Sequence, residues 1–288
     1  MYLINGVELD GGNCVIEHGS DWLSPISPVV DVVTVPGMHG ITVPPLPPVV
    51  GQRTLTMKIG CAGSTGWAET RRVLRLLTMP RLVLTRRMPD QFMDRCVEVV
   101  LTSLSADDTT LDRYTRYTAV FSMTSPFWRA PDPTLAALPD DGVLLDAAIP
   151  GPSTWWEGEP NNSVSVLAPE GCPDGYQSDA PIDDMIIRVP TGVDAMTLTD
   201  PTSGTSVTWS GKTTSGYLYV DPKRLHAWTS GNATAWTGGA DVTAGLDYGA
   251  NGPLQIWPDA AGKYRVNLTA HGVPAGQQTY VRYYKSWW

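Results

Sequence analysis

Turn signals divide the second half of the chain into short apolar runs that recur about every 8–12 residues. We expect these runs to be β-strands, and they cover residues 163–167, 185–189, 195–199, 206–209, 217–220, 224–228, 253–257, 264–269 and 279–284. No helical periodicity interrupts them. This pattern predicts an all-β sandwich over residues 155–288, without a helix longer than about two turns.

The first half shows the same strand patterning but contains one amphipathic segment. Residues 66–78 place their apolar side chains on one face of a helix, and Pro80 ends it. An Asn5-Gly6 turn predicts a hairpin, and residues 106–112 predict a polar turn. Further strands are predicted over residues 52–60, 81–87, 95–104 and 114–124. We therefore expect a β-sandwich or split-barrel-like first domain with one helix.

Prolines and a change in charge mark the end of this domain. Residues 1–131 hold equal numbers of acidic and basic side chains, so the net charge of −9 lies entirely in residues 132–288. We predict domains over 1–131 and 155–288, joined by a linker over 132–154. Such a charge distribution is poorly suited to nucleic acid or to an anionic membrane surface, so neither is expected as a partner.

A proline- and glycine-rich segment over residues 36–51 cannot be a central strand, because proline donates no hydrogen bond to a sheet. It is either an arm that grips a partner or a loop folded back on its own domain. We favour the arm, because its apolar side chains are unusual for a loop in water. The predicted contact residues are Met38, Ile41, Val43, Leu46 and Val49.

Three arginines share a second face of the predicted helix: Arg71, Arg72 and Arg75. One interpretation is a solvated helix face. The other is a contact with an acidic surface of a neighbouring subunit.

The sequence contains no local signature of catalysis or cofactor binding. It has no phosphate-binding loop, no GxGxxG, HExxH or GxSxG motif, and its four histidines are scattered. We therefore expect no enzyme, no cofactor and no metal site. The four cysteines include no CxxC pair and are expected to be buried free thiols.

Two pairs of acidic residues could in principle serve glycoside hydrolysis, which needs two carboxylates in one cleft. Glu157 and Glu159 lie in a turn-like segment and are expected to be solvated. Asp183 and Asp184 are adjacent, and on a strand they would point to opposite faces.

Aromatic residues are concentrated in the second half, which holds eight of the eleven tryptophans. Exposed rings on a sandwich can stack on sugars, whereas inward-facing rings fill the core or a subunit contact. The candidates for sugar stacking are Trp155, Trp156, Trp209 and Trp228.

Several segments follow one another in an order typical of one protein family. GQRTLTMKIG (51–60) precedes the helix, and Pro126-Phe127-Trp128 ends the first domain with an aromatic step. In the second domain, Gly204 and Asp221 stand where the family has a "tG" strand and a strand ending in "iD". PLQIWPD, KYRVNLTAHG and TYVRYY are similar to its closing strands. In these features the chain resembles the distal tail (Dit-type) proteins of long-tailed bacteriophages, within the siphophage tail-component group.

The resemblance implies a galectin-like (carbohydrate-binding-module-like) second sandwich in a non-catalytic virion protein. It also implies a hexameric ring at the phage tail tip, assembled in the host cytoplasm, with an axial channel for DNA. Such a ring joins the tail tube protein to tail-tip or baseplate hub proteins. Two alternatives stay open: a carbohydrate-binding adsorption module that contacts host cell-wall glycan, and a wall-degrading enzyme.

Overall fold

A computed structural model gives the arrangement of most of the 288-residue chain. It describes residues 1–20, 26–29, 36, 47–62, 66–88, 93–110, 114–138, 161–166, 178–213, 216–260, 262, 264–272 and 277–288. Over these residues the chain is mainly β with one α-helix, which confirms the fold class expected from the sequence.

The first domain is built on one curled antiparallel sheet. Its elements are β1 (Tyr2–Ile4), β2 (Val7–Glu8), β3 (Cys14–Ile16), β4 (Pro28–Val29), β5 (Val49–Val50), β6 (Thr54–Ala62), α1 (Gly66–Leu77), β7 (Leu82–Arg86), β8 (Arg95–Thr110), β9 (Tyr114–Met123) and β10 (Trp128–Arg129). The strand order is β2-β1-β7-β8-β9-β6-β3, with β10 paired to β8. The predicted Asn5-Gly6 turn closes the first hairpin, and both residues have the positive φ that this turn needs (51° and 79°).

The β8–β9 hairpin is longer than the sequence predicts. Residues 106–110 continue β8 opposite β9 instead of forming a polar turn, with register shifts near Leu101 and Ala106. The polar sequence of this segment, ADDTT, is therefore compatible with an extended strand as well as with a turn. Because β7 pairs only with residues 95–99, the hairpin extends well past the end of β7.

Helix α1 closes the core of the first domain. Thr70, Val73 and Leu77 are buried on the helix face that packs towards β6 and β9, where they join core residues such as Ile59 and Phe121. This is the face that helical periodicity predicts.

The second domain is a sandwich of two antiparallel sheets, as predicted. Its elements, in chain order, are β11 (Thr134–Leu138), β12 (Asn161–Val166), β13 (Met185–Val189), β14 (Ala195–Thr199), β15 (Ser206–Ser210), β16 (Tyr217–Asp221), β17 (His226–Ser230), β18 (Ala240–Asp241), β19 (Leu246–Tyr248), β20 (Arg265–His271) and β21 (Thr279–Tyr283). One sheet has the order β11-β21-β13-β16-β17-β18 and the other β12-β20-β14-β15-β19. Alternate residues of both sheets, including Ile187, Val220, Leu198 and Val266, form one core.

Over the described residues the sandwich lacks one predicted strand, whereas its helical content stays below the predicted limit of about two turns. Residues 253–257 are not a strand, although Ile256 forms an isolated bridge with Ile182. Within the described part of the sandwich, the only helical element is a short 3-10 turn over Thr243–Gly245.

The domain boundaries also differ from the predicted ones. The second domain includes residues of the predicted linker, and the first domain includes residues from the end of the chain. Thr134–Leu138 falls within the predicted linker, but it forms β11, which pairs with β21 over its whole length. At the other end of the chain, β22 (Ser286–Trp287) leaves the sandwich and pairs with β10. Trp128 and Trp287 face each other across this pair, and both lie in the core of the first domain. The last residues of the chain therefore complete the first domain.

The prediction of four free thiols is wrong for two of the cysteines. Cys14 and Cys61 form a disulfide between β3 and β6. They are directly opposite each other in the register, with a Cα–Cα distance of 4.2 Å. Cys96 is a free thiol, and Cys172 lies outside the described residues.

Gly204 and Asp221, the two positions shared with the family pattern, hold tight turns. Gly204 has a φ of +70°, a backbone conformation that favours glycine, and a Cβ there would displace the Asn251 side chain, whose Nδ2 would lie 2.5 Å away. Asp221 is buried and accepts hydrogen bonds from the backbone N–H and from Nη1 of Arg224, at 2.9 and 2.6 Å.

Candidate functional site

The last residues of the proline-rich arm pair with a short strand that precedes the arm in sequence. β4 and β5 form a separate two-stranded ribbon in which Val29 lies opposite Val49. Both side chains are exposed, at 51% and 65%. The ribbon therefore presents apolar surface at the base of the arm. Val49 is one of the predicted contact residues, and the others lie outside the described residues: Met38, Ile41, Val43 and Leu46.

The three helix arginines do not share one environment. Arg72 is held within its own domain, because Nε lies 2.7 Å from Glu69 Oε2 and Nη1 donates to the Glu8 carbonyl at 2.7 Å. Arg71 and Arg75 have exposed side chains. A contact with a neighbouring subunit remains a prediction for Arg71 and Arg75, whose side chains are exposed, whereas Arg72 is held by Glu69 and Glu8.

Two of the four tryptophans predicted to stack on sugars lie in the interior. Trp209 and Trp228 are each 2% exposed, and each indole N–H donates to a backbone carbonyl at 3.0 Å. The Trp228 ring also stacks on Tyr219, with ring centroids 5.4 Å apart. The prediction is wrong for these two, because their own domain covers their rings. The other two lie outside the described residues: Trp155 and Trp156.

A loop over residues 231–239 covers Trp228 from the outer side of the six-stranded sheet. Tyr219 Oη donates to the Asn232 carbonyl at 2.6 Å, and Trp228 Nε1 donates to the Ala235 carbonyl. The loop also places Trp236 against the sheet, where its ring meets Tyr219 edge-on at 5.5 Å.

Beside this loop, arginines and aromatic rings alternate on the outer face of the same sheet. The Arg188 guanidinium lies 4.2 Å from the ring centre of Tyr280, 5.3 Å from Tyr217 and 5.4 Å from Trp236. The Arg282 guanidinium lies 5.8 Å from the ring centre of Trp236. All five side chains are half-buried. We call these five residues the arginine–aromatic face.

Where this face meets the first domain, the two domains enclose a cleft of about 570 Å³. Its first-domain wall comes from β8 and β10, and its second-domain wall from β13, β17, β21 and the 231–239 loop. We call it the junction cleft. Glu98 and Arg129 are polar residues of the first-domain wall, and the second-domain wall combines polar and aromatic residues, among them His226, Trp236 and Arg282.

Asp183 and Asp184 converge on one arginine instead of diverging as expected. They precede β13 and are not part of a strand, so strand alternation does not apply to them. Arg129 Nη2 lies 2.9 Å from Asp183 Oδ1, and Nη1 pairs with Asp184 Oδ2. Lys223 Nζ lies 2.8 Å from the other Asp183 oxygen. These paired carboxylates link the two domains and are unsuited to serve as an acid and base.

Cys96 lies in the first-domain wall of the junction cleft. Burial raises the pKa of its thiol, more than the nearby Arg129 charge lowers it, so the sulfur stays protonated at neutral pH.

Among the described residues, no group of three or more His, Cys, Asp or Glu side chains is arranged to hold a metal ion. In the same part of the chain, no helix is both long enough and apolar enough to cross a membrane.

The sequence carries a partial signal for the arginine–aromatic face. Apolar residues alternate with Arg188 in β13 and with Tyr280 and Arg282 in β21, which places these three side chains on the non-core face of each strand. β13 and β21 are paired although about 90 residues of sequence separate them. Local patterns do not encode this pairing, so the cluster was missed.

No protein-family model matches the chain, and no curated protein matches it. Among solved structures, the Dit protein of phage SPP1 aligns over 99% of this chain and 98% of its own, with 12% identity and a TM-score of 0.55. That protein is described as a paradigm of the hub adsorption apparatus in phages that infect Gram-positive bacteria.

Two structures of the phage P2 baseplate in its activated conformation, with Ca and with Sr, align at 10% identity and a TM-score of 0.38. They cover 95% of this chain and 91% and 90% of their own. The SPP1 protein, in contrast, is matched over its whole length at a TM-score above one half. The chain therefore has the fold of a phage Dit protein along almost its entire length.

Proposed function

We propose that the chain is a structural hub protein of a phage tail tip, which joins the tail tube protein to the tail-tip or baseplate proteins. The observation that supports this role is the end-to-end likeness of both domains to the Dit protein of phage SPP1. In this role the chain is a virion component assembled in the host cytoplasm, and it performs no catalysis.

The hub is proposed to be a hexameric ring with an axial channel for DNA, held together by the first domains. Apolar surface at the base of the arm supports this arrangement, since Val29 and Val49 are exposed in the single chain. Exposed apolar side chains of this kind commonly mark an interface. In a ring, the arm of one subunit meets a different surface on the next, and this head-to-tail contact closes on itself.

The charge distribution is compatible with this arrangement. The first domain carries equal numbers of acidic and basic residues, so its copies can pack together without strong repulsion. The acidic second domains would then lie outside the ring. Separations beyond the Debye length of about 8 Å at physiological salt screen their mutual repulsion.

Antibody labelling of virions tests the proposed role. Antibodies raised against the full-length chain should label particles at one place, the end of the tail furthest from the capsid. Antibodies against the tail tube protein provide the control and should label along the tail. Label on the capsid, or no label on intact virions and on detergent-opened tails, would contradict the hub role.

A second proposal is that the second sandwich binds carbohydrate, as an adsorption module on host cell-wall glycan. The arginine–aromatic face supports it, because three half-exposed rings lie there next to polar groups. A glycan array probed with the full-length chain tests this proposal. Binding to no glycan would contradict it without affecting the hub role.

A further inference from the structure

We propose that the junction cleft binds a short anionic saccharide, with Arg282 pairing with its carboxylate and Trp236 forming part of the apolar wall against its ring. This proposal deepens the carbohydrate-binding role and does not depend on the hub role. Of the four tryptophans that the sequence suggested, Trp228 borders this cleft, but its ring is only 2% exposed, so the ring offered to the ligand is that of Trp236.

Arg282 is the arginine of the cleft that forms no ion pair with the described residues. The other two arginines of the cleft have carboxylate partners: Arg129 pairs with Asp183 and Asp184, and Arg224 pairs with Asp221. The ion pairs of the described residues do not include Arg282, whose guanidinium lies 5.8 Å from the ring centre of Trp236. Its half-buried guanidinium is therefore a donor group available to an anion in the cleft.

Arg188 strengthens the positive potential beside it. β13 and β21 pair with Ile186 opposite Arg282, so Arg188 is a diagonal neighbour of Arg282 on the same face. Both guanidinium groups lie within 6 Å of the Trp236 ring, and Arg188 forms no ion pair among the described residues either. Two like charges on one indole stand out in a domain whose net charge is strongly negative. An anionic ligand would offset them.

The acidic side chains of the cleft do not oppose an anion strongly. Asp184 and Asp221 are neutralised by the arginines described above. Glu98 pairs with Arg81, whose Nε lies 2.8 Å from Glu98 Oε1. Arg282, which has no carboxylate partner among the described residues, therefore sets the charge preference of the cleft.

The shape and walls of the cleft favour a saccharide over a peptide. A volume of about 570 Å³ lies within the usual range for small-ligand sites, roughly 300–1,000 Å³. Its walls combine the aromatic side chain of Trp236 with fixed polar groups such as His226 and Tyr284. The strands beneath it, β13 and β21, are paired on both sides, so they offer no free strand edge on which a peptide could add.

Calorimetric titration of the full-length chain with a uronic-acid disaccharide tests the proposal. The methyl ester of the same disaccharide is the matched neutral ligand. We expect the acid to bind and the ester to bind at least about tenfold more weakly, since a charge-assisted hydrogen bond is lost. Arg282→Gln should weaken binding of the acid by a similar factor, and Arg282→Lys should restore part of it.

Lys212→Gln removes one positive charge from an exposed position outside the cleft and should leave the affinity unchanged. Thermal unfolding of each variant shows that the sandwich is intact. Equal binding of acid and ester, no binding of the acid, or an equal effect of the Lys212 variant would overturn the proposal. So would tighter binding of a polyglutamate peptide than of the acid. Glycan-array binding to neutral sugars alone would retain the carbohydrate role but reject the anionic site.

Discussion

At the scale of single residues, Tyr264 couples stability to pH. Its side chain is fully buried, and its hydroxyl donates to the Ala180 carbonyl at 2.9 Å. Burial is the main cause that raises the pKa of Tyr264 well above its ordinary value. The folded state therefore keeps its proton after the unfolded chain has begun to lose it. The contribution of this group to the free energy of unfolding is full below about pH 10 and falls as the pH rises further.

We therefore expect Tyr264→Phe to reduce this dependence. At about pH 8 the variant should be less stable by about 1 kcal/mol, because one hydrogen bond is lost. Between about pH 8 and about pH 11 its free energy of unfolding should fall less steeply than that of the natural chain. Urea unfolding at several pH values measures both effects. Tyr117→Phe, at a half-exposed position, is the control, and equal slopes for all three proteins would contradict the expectation.

The cysteines give a second test at this scale. Cys14 and Cys61 lie directly opposite each other on β3 and β6, where side chains are close enough to bond. Peptide mapping without reductant should recover these two residues in one linked pair of peptides. Cys96 should be recovered as a thiol that reacts slowly with iodoacetamide until the chain is unfolded, because burial raises its pKa. Alkylated Cys14 and Cys61 in the unreduced protein would contradict the assignment.

At the scale of elements, the last strand joins the two domains. Trp287 is 1% exposed in the core of the first domain, and the Arg95 guanidinium lies 4.9 Å from its ring centre. The neighbouring Trp288 is half-buried and meets Phe127 edge-on at 5.1 Å. A strand of two residues thus fixes the end of the sandwich to the sheet of the first domain.

Trp287→Ala in the full-length chain should lower the free energy of unfolding by about 3–5 kcal/mol, the usual cost of removing a buried tryptophan. Trp288→Ala, the matched control, should cost about 1 kcal/mol, because its ring keeps contact with water. Denaturant unfolding of both variants measures the difference. Similar small losses for both would show that Trp287 is not a core residue.

Elements with a strong local pattern could be predicted from the sequence. Alternation in residues 185–189 and 195–199 gives β13 and β14 with the same bounds, and helical periodicity gives α1 within one residue of its end. β22 could not be predicted, because two residues carry no periodicity and their partner lies more than 150 residues away. Trp228 shows the same limit for the site. Alternation places it on the outer face of its strand, but its burial depends on the 231–239 loop.

At the scale of the whole molecule, the domains depend on each other. A fragment of residues 1–131 lacks Trp287, so its Trp128 would lose its cross-strand neighbour and part of its cover. Ring formation by this fragment alone would therefore be a poor test of the arm. Assembly is better tested by substitutions in the full-length chain.

Replacing the four apolar arm residues Met38, Ile41, Val43 and Leu46 by serine should shift the chain from rings towards monomers in mass photometry. The reason is that their burial on the next subunit contributes about 25 cal/mol per Å² of apolar surface. Arg75→Gln should have a much smaller effect, since exposed ion pairs contribute about 0–1 kcal/mol. Leu225→Ser, at an exposed leucine of the second domain, is the control and should not affect assembly. Unchanged ring formation by the arm variant would show that the arm folds on its own domain.

Electron microscopy of the purified full-length chain tests the hub role most directly. Class averages should show hexameric rings with a central channel, with the first domains forming the ring and the second sandwiches outside it. Particles the size of a single chain at every concentration tested, with and without the tail tube protein, would contradict the hub role.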